Sequence, residues 1–194
     1  MAATATPYGF KPVKSLDQRP YTGATRQFKI ASGYATNIFN GDVVKCVNDG
    51  TIAKDTGTTT LTPIGVFLGV SATSGVLGYY TQSQYWAAST VASNAFAYVV
   101  DDPFAVFQIQ ADGSVAQTSL FLNAGVTQTA GSTATGDSKV TLTTSTLAVT
   151  NTLPIRVVGF VGGACETVSP ADAFTDCLVI WNFGMHQYLD PDGI

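Results

Sequence analysis

The sequence predicts an all-β protein, an antiparallel sandwich or partly open barrel with at most one short helix. The first reason is composition: only 11% of the 194 residues are charged, and Glu occurs once, at Glu166. Because Glu and Lys usually fill exposed helix faces, their scarcity disfavours helices. The abundant Thr, Val, Tyr and Phe favour pleated, half-buried surfaces instead. The second reason is a succession of short apolar or alternating runs separated by Gly, Pro and Asx turns.

Residues 1–25 have no usable hydrophobic period, so we predict an extended N-terminal arm followed by one β domain over 26–194. Three prolines in the arm each remove a backbone donor and bias the preceding residue toward extended geometry. The arm also carries apolar groups without a local partner, namely Tyr8, Phe10, Val13, Leu16 and Tyr21. Such anchors suit an arm laid on another protein. They equally suit an arm packed on its own domain.

The first half of the β domain contains seven strand patterns in close succession. In the first pattern, "RQFKIA", Phe28 and Ile30 fall on one face. The second and third patterns flank a turn in which Gly50 supplies the positive φ of a tight hairpin. The fourth is a nearly continuous apolar run, and the seventh alternates after the turn at Asp101-Asp102-Pro103. The predicted strands are 26–31, 41–47, 51–55, 62–70, 78–88, 94–100 and 104–111.

The second half begins with the one helix that the sequence predicts, at 113–125. Ser114 is a suitable cap, Val115, Leu120 and Leu122 are placed to pack inward, and Gly125 is a suitable end. A loop of small residues follows at 127–139, and the remaining predicted strands are 139–149, 153–161 and 174–184.

The residues of catalytic chemistry form no recognisable constellation. The chain contains one histidine, His186, and the sequence around it resembles no nucleophile motif. The pair Asp101-Asp102 before proline is typical of a solvated turn. We therefore predict a protein that is not an enzyme and has no cofactor and no metal site.

Three cysteines, Cys46, Cys165 and Cys177, have no metal-ligand spacing, and we interpret them as reduced, mostly buried thiols. A Cys165–Cys177 bridge is the alternative. The net charge of −4 and scattered basic residues argue against a nucleic-acid partner. Neither an export signal nor a long apolar run is visible, so we predict no membrane partner and synthesis in a cytoplasm.

Several stretches together resemble a family of virion structural proteins from tailed bacteriophages, especially phages of marine bacteria and cyanobacteria. They extend from Tyr8 to about Tyr188 and are "YGFKPVKS", "RPYTGATRQFKIASGYATNIFNGDVVKCVNDGTIAKDTGTTTLTPIGVFLGV", "SQYWAASTVASNAFAYVVDDP" and "FTDCLVIWNFGMHQY". The smaller pattern "GDVV…DGTI…PIGVFLG" resembles capsid decoration, or cement, proteins.

The resemblance implies a β-barrel, β-sandwich or β-tulip-like domain on the outer capsid surface of the virion, assembled in the host cytoplasm. It implies the major capsid protein as partner, and a homotrimer at local three-fold positions. In this hypothesis aromatic residues of the arm anchor it, and arginines pair with capsid carboxylates. The predicted capsid contacts are Tyr8, Phe10, Val13, Arg19, Tyr21 and Arg26.

Two other functions are weighed against this one. A head-fibre or tail protein with a carbohydrate- or host-surface-binding module would need an exposed aromatic platform, for which "GYYTQSQYW" is the candidate. Burial of Tyr80, Tyr85 and Trp86 would count against it. A hydrolase would need Asp101, Asp102 and His186 brought together in a cleft. Trp86 and Trp181 are interpreted as core or trimer-interface residues.

Overall fold

A computed structural model of the chain describes residues 4–161 and 173–184, which form two antiparallel sheets of six strands. The first sheet has the order β1-β8-β12-β11-β9-β10, and the second has the order β2-β7-β5-β3-β4 with β6 beside β5. The strands are β1 Lys11–Ser15, β2 Arg26–Lys29, β3 Val43–Cys46, β4 Ile52–Lys54, β5 Gly65–Ser74, β6 Tyr80–Ser83, β7 Ala92–Val100, β8 Ala105–Gln110, β9 Asn123–Thr127, β10 Thr141–Ala148, β11 Ile155–Phe160 and β12 Asp176–Trp181. The predicted all-β class is confirmed, in the form of a sandwich and not of a closed barrel.

The hairpin predicted at Gly50 is confirmed. Gly50 has φ of +77°, and the Val47 N–H donates to the Thr51 carbonyl oxygen at 2.9 Å. The Asp49 carboxylate accepts hydrogen bonds from the hydroxyl and the N–H of Thr51, which lower the pKa of Asp49. The stretch 41–55 is therefore two paired strands and the turn that reverses the chain.

The helix predicted over 113–125 is wrong. The segment has a single 3-10 turn, Gln117–Ser119, and then enters strand β9. Its backbone donors go to distant parts of the chain: Val115 N–H donates to the Thr175 hydroxyl, and Phe121 N–H to the Val157 carbonyl oxygen. These long-range bonds outweigh a weak local helix propensity.

The second sheet contributes to two cores, because neighbouring residues of a strand point to opposite sides of the sheet. Val43, Val66 and Val100 belong to a core between the two sheets, whereas the adjacent residues on the same strands belong to a second core. Ile38 and Trp86 close this second core from outside the strands. An extra residue in β5, between Phe67 and Gly69, keeps Val70 on the second-core side.

Part of the predicted arm is built into the domain. Strand β1 pairs antiparallel with β8 at one margin of the first sheet, and Phe10 lies in the core between the sheets. Gly9 lets the chain enter that core, because a Cβ there would lie 2.6 Å from the Gly41 carbonyl oxygen. This placement agrees with the second alternative, an arm packed on its own domain.

Candidate functional site

Two of the six predicted capsid contacts, Phe10 and Tyr8, point into the protein itself. Phe10 is fully buried, with its ring 5.0 Å from the Trp181 ring and edge-on to Phe107 at 6.1 Å. The Tyr8 hydroxyl donates to the Asp176 carboxylate at 2.7 Å, and burial followed by this contact raises the pKa of Tyr8. In this conformation Phe10 has no surface to offer to a partner.

Val13 is exposed on β1, and the exposed Leu16, directly after β1, lies beside the exposed Phe104. The exposed fractions are 39% for Val13, 47% for Leu16 and 62% for Phe104. Leu16 N–H donates to the Phe104 carbonyl oxygen at 2.8 Å, and both residues line a shallow cleft of about 360 Å³ with Ser15 and Asp17. We call Val13, Leu16 and Phe104 the β1 patch.

The chain turns back after the β1 patch and covers part of the outer edge of β1. Ser15 N–H donates to the Arg19 carbonyl oxygen at 2.8 Å, and Tyr21 N–H donates to the Val13 carbonyl oxygen at 3.0 Å. The Arg19 guanidinium lies 3.0 Å from the Asp17 carboxylate, and both side chains are largely exposed. The patch therefore has a charged rim and a backbone edge that is already partly paired.

The other two predicted contacts make bonds within the chain. Arg26 lies 3.0 Å from the Asp101 carboxylate, and the Tyr21 hydroxyl donates to the Ala24 carbonyl oxygen at 2.9 Å. Burial raises the pKa of Tyr21. Of the six predicted residues, Val13 thus lies exposed on β1, and Arg19 lies exposed in the turn that follows it.

Leu16 and Phe104 are the members of this site that the prediction of contact residues did not include. Leu16 carried a sequence signal, since it is an apolar residue without a local partner in the arm. Phe104 had the weaker signal of an aromatic residue directly after an Asp-Asp-Pro turn. Its position beside Leu16 depends on the pairing of β1 with β8, which joins distant parts of the chain.

The aromatic stretch 78–88 is divided between surface and core. Tyr79 and Tyr80 are exposed, as are Val76 and Leu77 in the turn between β5 and β6. Trp86 is buried and donates from Nε1 to the Tyr34 carbonyl oxygen, so its predicted core position is confirmed. Trp181 is buried in the core between the two sheets, which agrees with the core alternative predicted for it.

A buried ion pair joins β4 to the loop before β3. The Lys54 ammonium lies 2.8 Å from the fully buried Asp42 carboxylate, which also accepts bonds from Phe39 N–H at 2.8 Å and the Ser138 hydroxyl at 2.7 Å. Lys54 also lines a cleft of about 310 Å³ together with Phe39 and Gln128. Because each carboxylate oxygen of Asp42 has a partner within the chain, the cluster holds the loop of 128–140 against β3 and β4.

The carboxylates proposed for a hydrolase have turn and ion-pair roles. Asp101 pairs with Arg26, and Asp102 accepts a hydrogen bond from Phe104 N–H at 2.9 Å. His186 lies outside the described residues. Across 4–161 and 173–184, no group of three or more His, Cys, Asp or Glu is placed to hold a metal ion.

Cys177 is a buried free thiol in the core between the two sheets, and Cys46 is a half-buried free thiol on β3. Burial raises the pKa of both, that of Cys177 to about 12. Cys165, the other half of the alternative bridge, falls outside the described residues. In the same part of the chain, no helix is both long and apolar enough to span a membrane.

Comparison with known proteins finds no matching family model, no matching curated protein and no matching solved structure. The resemblance to phage virion proteins therefore stays a prediction from the residues quoted above.

Proposed function

We propose that the protein is a non-enzymatic capsid cement protein that binds the outer surface of a phage head across capsid subunits. The observation that carries the proposal is the β1 patch, where the exposed Leu16 and Phe104 line a cleft with Asp17, the partner of Arg19, and Val13 is exposed on the adjoining strand. Apolar anchors surrounded by a charged rim are the usual anatomy of a protein–protein contact. A contact of this kind suits a partner such as the major capsid protein.

The composition supports an assembly component. With 11% charged residues and positive mean hydropathy, a free monomer has weak colloidal repulsion and tends to associate. Inside a shell the same surface is covered by neighbours, including the other copies of a homotrimer. The sandwich supplies a rigid body on which the β1 patch is held.

In this proposal the protein stabilises the shell by mass action. A protein that binds the expanded shell and not its precursor adds its binding free energy to the stability of the expanded form. Contacts that span a boundary between subunits have the largest effect, since they oppose separation of those subunits. No bond is made or broken, so no catalytic residue is needed.

The capsid contacts are assigned to the β1 patch and Arg19. The buried Phe10 is assigned to the core, and Tyr8 to holding the chain against Asp176. Arg26 is assigned to its pair with Asp101, so that a partner would have to compete with that carboxylate. The function of the N-terminal segment is thus to build an edge of the domain and to present the β1 patch.

The test is co-sedimentation of the purified protein with empty expanded heads and, in parallel, with unexpanded heads. We expect saturable binding to expanded heads only, and at least tenfold weaker binding for Leu16→Asp and for Phe104→Asp. Val149→Asp is the matched control, because Val149 is apolar and 89% exposed but directly follows β10, at the margin of the first sheet opposite β1. Deleting residues 1–25 would be a poor test, because it removes Phe10 and strand β1 from the fold.

Two results would overturn the proposal. One is the absence of binding to either form of the head. The other is binding that Leu16→Asp and Phe104→Asp leave at the level of Val149→Asp.

A head-fibre or tail protein with a carbohydrate-binding module is the second candidate. Exposure of Tyr79 and Tyr80 favours it, because a platform needs accessible rings. The half-buried Tyr85, stacked on Phe39 at 5.5 Å, and the buried Trp86 cannot belong to such a platform. This candidate needs other residues beside Tyr80.

A further inference from the structure

Four strands of the second sheet share a face that the pairing register defines. Residues directly opposite one another on paired strands lie on the same side of a sheet. On the side opposite the second core this gives three rows across the sheet, which we call the β6 face. The rows are Tyr80–Thr73–Asn94, then Gln82–Ser71–Phe96–Lys29, then Gly69–Tyr98–Gln27.

The β6 face is open to solvent at the end that carries Tyr80, Gln82 and Asn94. The first sheet packs against Val66 and Val100 at the other end of the same side, where the core between the sheets lies. Tyr80 is 61% exposed, Gln82 is exposed, and Phe96 and Tyr98 are half-buried. The face therefore presents the exposed Tyr80 and Gln82 beside the half-buried rings of Phe96 and Tyr98.

A hydrogen bond between side chains orients two polar groups of the β6 face. The Gln82 amide donates to the Tyr80 hydroxyl at 3.0 Å. This hydrogen bond with Gln82 is the main cause that lowers the pKa of Tyr80. A hydrogen bond of this kind restricts the Tyr80 ring and so reduces the side-chain entropy lost when a ligand covers it.

A groove lies beside Tyr80 on the β6 face and includes Gln82 and Tyr98 of that face. It has a volume of about 340 Å³ and is lined by Leu68, Gly69, Gln84 and Tyr98 among others. Gly69 leaves the floor open because it has no side chain, and a Cβ there would approach the Ser83 carbonyl oxygen at 3.1 Å. The groove lies next to the exposed edge strand β6.

Charge decides what kind of ligand fits the β6 face. The sequence from Thr56 to Val100 contains no Asp, Glu, Lys, Arg or His, so β5, β6 and β7 are uncharged throughout. Lys29, at the β2 margin, is the charged residue of the three rows. An anionic ligand would find one cation at most, and an apolar peptide would leave the carboxamides without partners.

We propose that the β6 face binds a neutral carbohydrate chain. The apolar C–H face of a sugar ring packs on Tyr80, with Tyr98 and Phe96 beside it, and the carboxamides of Gln82 and Gln84 exchange hydrogen bonds with ring hydroxyls. The inference names the site that the fibre or tail candidate requires. It does not rest on the capsid proposal, since the β1 patch is a separate surface.

The test uses the full-length protein without phage heads. Binding is surveyed on an array of neutral and anionic glycans, and the best neutral ligand is then measured by isothermal titration calorimetry. We expect at least tenfold weaker binding for Tyr80→Ala and for Gln82→Ala. Tyr79→Ala is the matched control, because Tyr79 is an exposed tyrosine outside the β5–β6 pairing, and it should change the affinity less than twofold.

Three outcomes would overturn the inference: no neutral glycan bound, binding to anionic glycans alone, or equal affinities for Tyr80→Ala and Tyr79→Ala. Sedimentation velocity adds a fourth. Self-association that Tyr80→Ala abolishes, without any glycan binding, would make the face an interface between copies. Leu16→Asp should retain full glycan binding, so failure of this inference and failure of the capsid proposal are distinguishable.

Discussion

Replacing Phe10 with Ala is expected to destabilise the whole domain, although Phe10 lies in a segment that the sequence describes as an arm. The ring is fully buried in the core between the sheets and contacts Phe107 and Trp181. Removing it leaves a cavity that those two rings border. The chain on either side is held by β1 and by the close approach of Gly9 to Gly41, so it cannot easily collapse into the space.

The expected loss is about 3–5 kcal/mol of the free energy of unfolding. Transfer of a buried Phe side chain accounts for about 1.5–3 kcal/mol, and the cavity left behind accounts for the rest of the usual cost of Phe→Ala. With a urea m-value of about 2–3 kcal/mol per molar, the midpoint should fall by roughly 1–2.5 M.

The assay is equilibrium unfolding in urea, followed by tryptophan fluorescence, since Trp181 lies in the same core. Val13→Ala is the control on the same segment, and because Val13 is partly exposed it should cost less than about 1 kcal/mol. If Phe10→Ala costs no more than Val13→Ala, the N-terminal segment is not part of the folded domain. The assignment of capsid contacts to the β1 patch would then fail with it.

Two further predictions concern buried polar and titratable groups. Lys54→Met should lower the free energy of unfolding by about 3–5 kcal/mol, because it leaves the Asp42 carboxylate buried without its cation. In the same urea unfolding assay, the control Lys45→Met should stay within about 1 kcal/mol of the wild type. Equal losses for the two variants would contradict a structural role for the Lys54–Asp42 pair. Burial raises the pKa of Cys177 from 9.0 to about 12, so between these values the unfolded chain binds fewer protons and the free energy of unfolding falls as pH rises. Urea unfolding at pH 8 and pH 10.5 should show a smaller fall for Cys177→Ala than for the wild type, and identical falls would refute this attribution.

Local pattern was sufficient for ten of the twelve described strands and for the turn at Gly50, but not for β1 and β9. A strand with one or two buried faces carries its apolar residues at a short period, and Gly at a positive φ marks a reversal, so both are readable from a few residues. Low charge and a single Glu likewise indicated β structure before any strand was located. The helix at 113–125 failed because an apolar run with a suitable cap is ambiguous until its backbone partners are known.

The six predicted capsid contacts stay a prediction, and the structure shows only which of them are exposed, Val13 and Arg19 among them. Phe10 carried the same apolar signal as Val13, yet one is core and the other is surface. The difference depends on which way each side chain points from a chain that enters between two sheets, and no period in residues 1–25 records it. Phe104 joins Leu16 through strand pairing over a long separation in sequence.

By itself, the sequence determined the all-β class, most strand positions, the hairpin at Gly50 and the low charge of the surface. These follow from side-chain type and from spacings within a single strand. Only the tertiary structure decided that the second sheet contributes to two cores, that Phe10 belongs to the core, and that the β1 patch and the β6 face exist. Each of these depends on register between strands far apart in the chain, and register is set by the combined packing of both sheets.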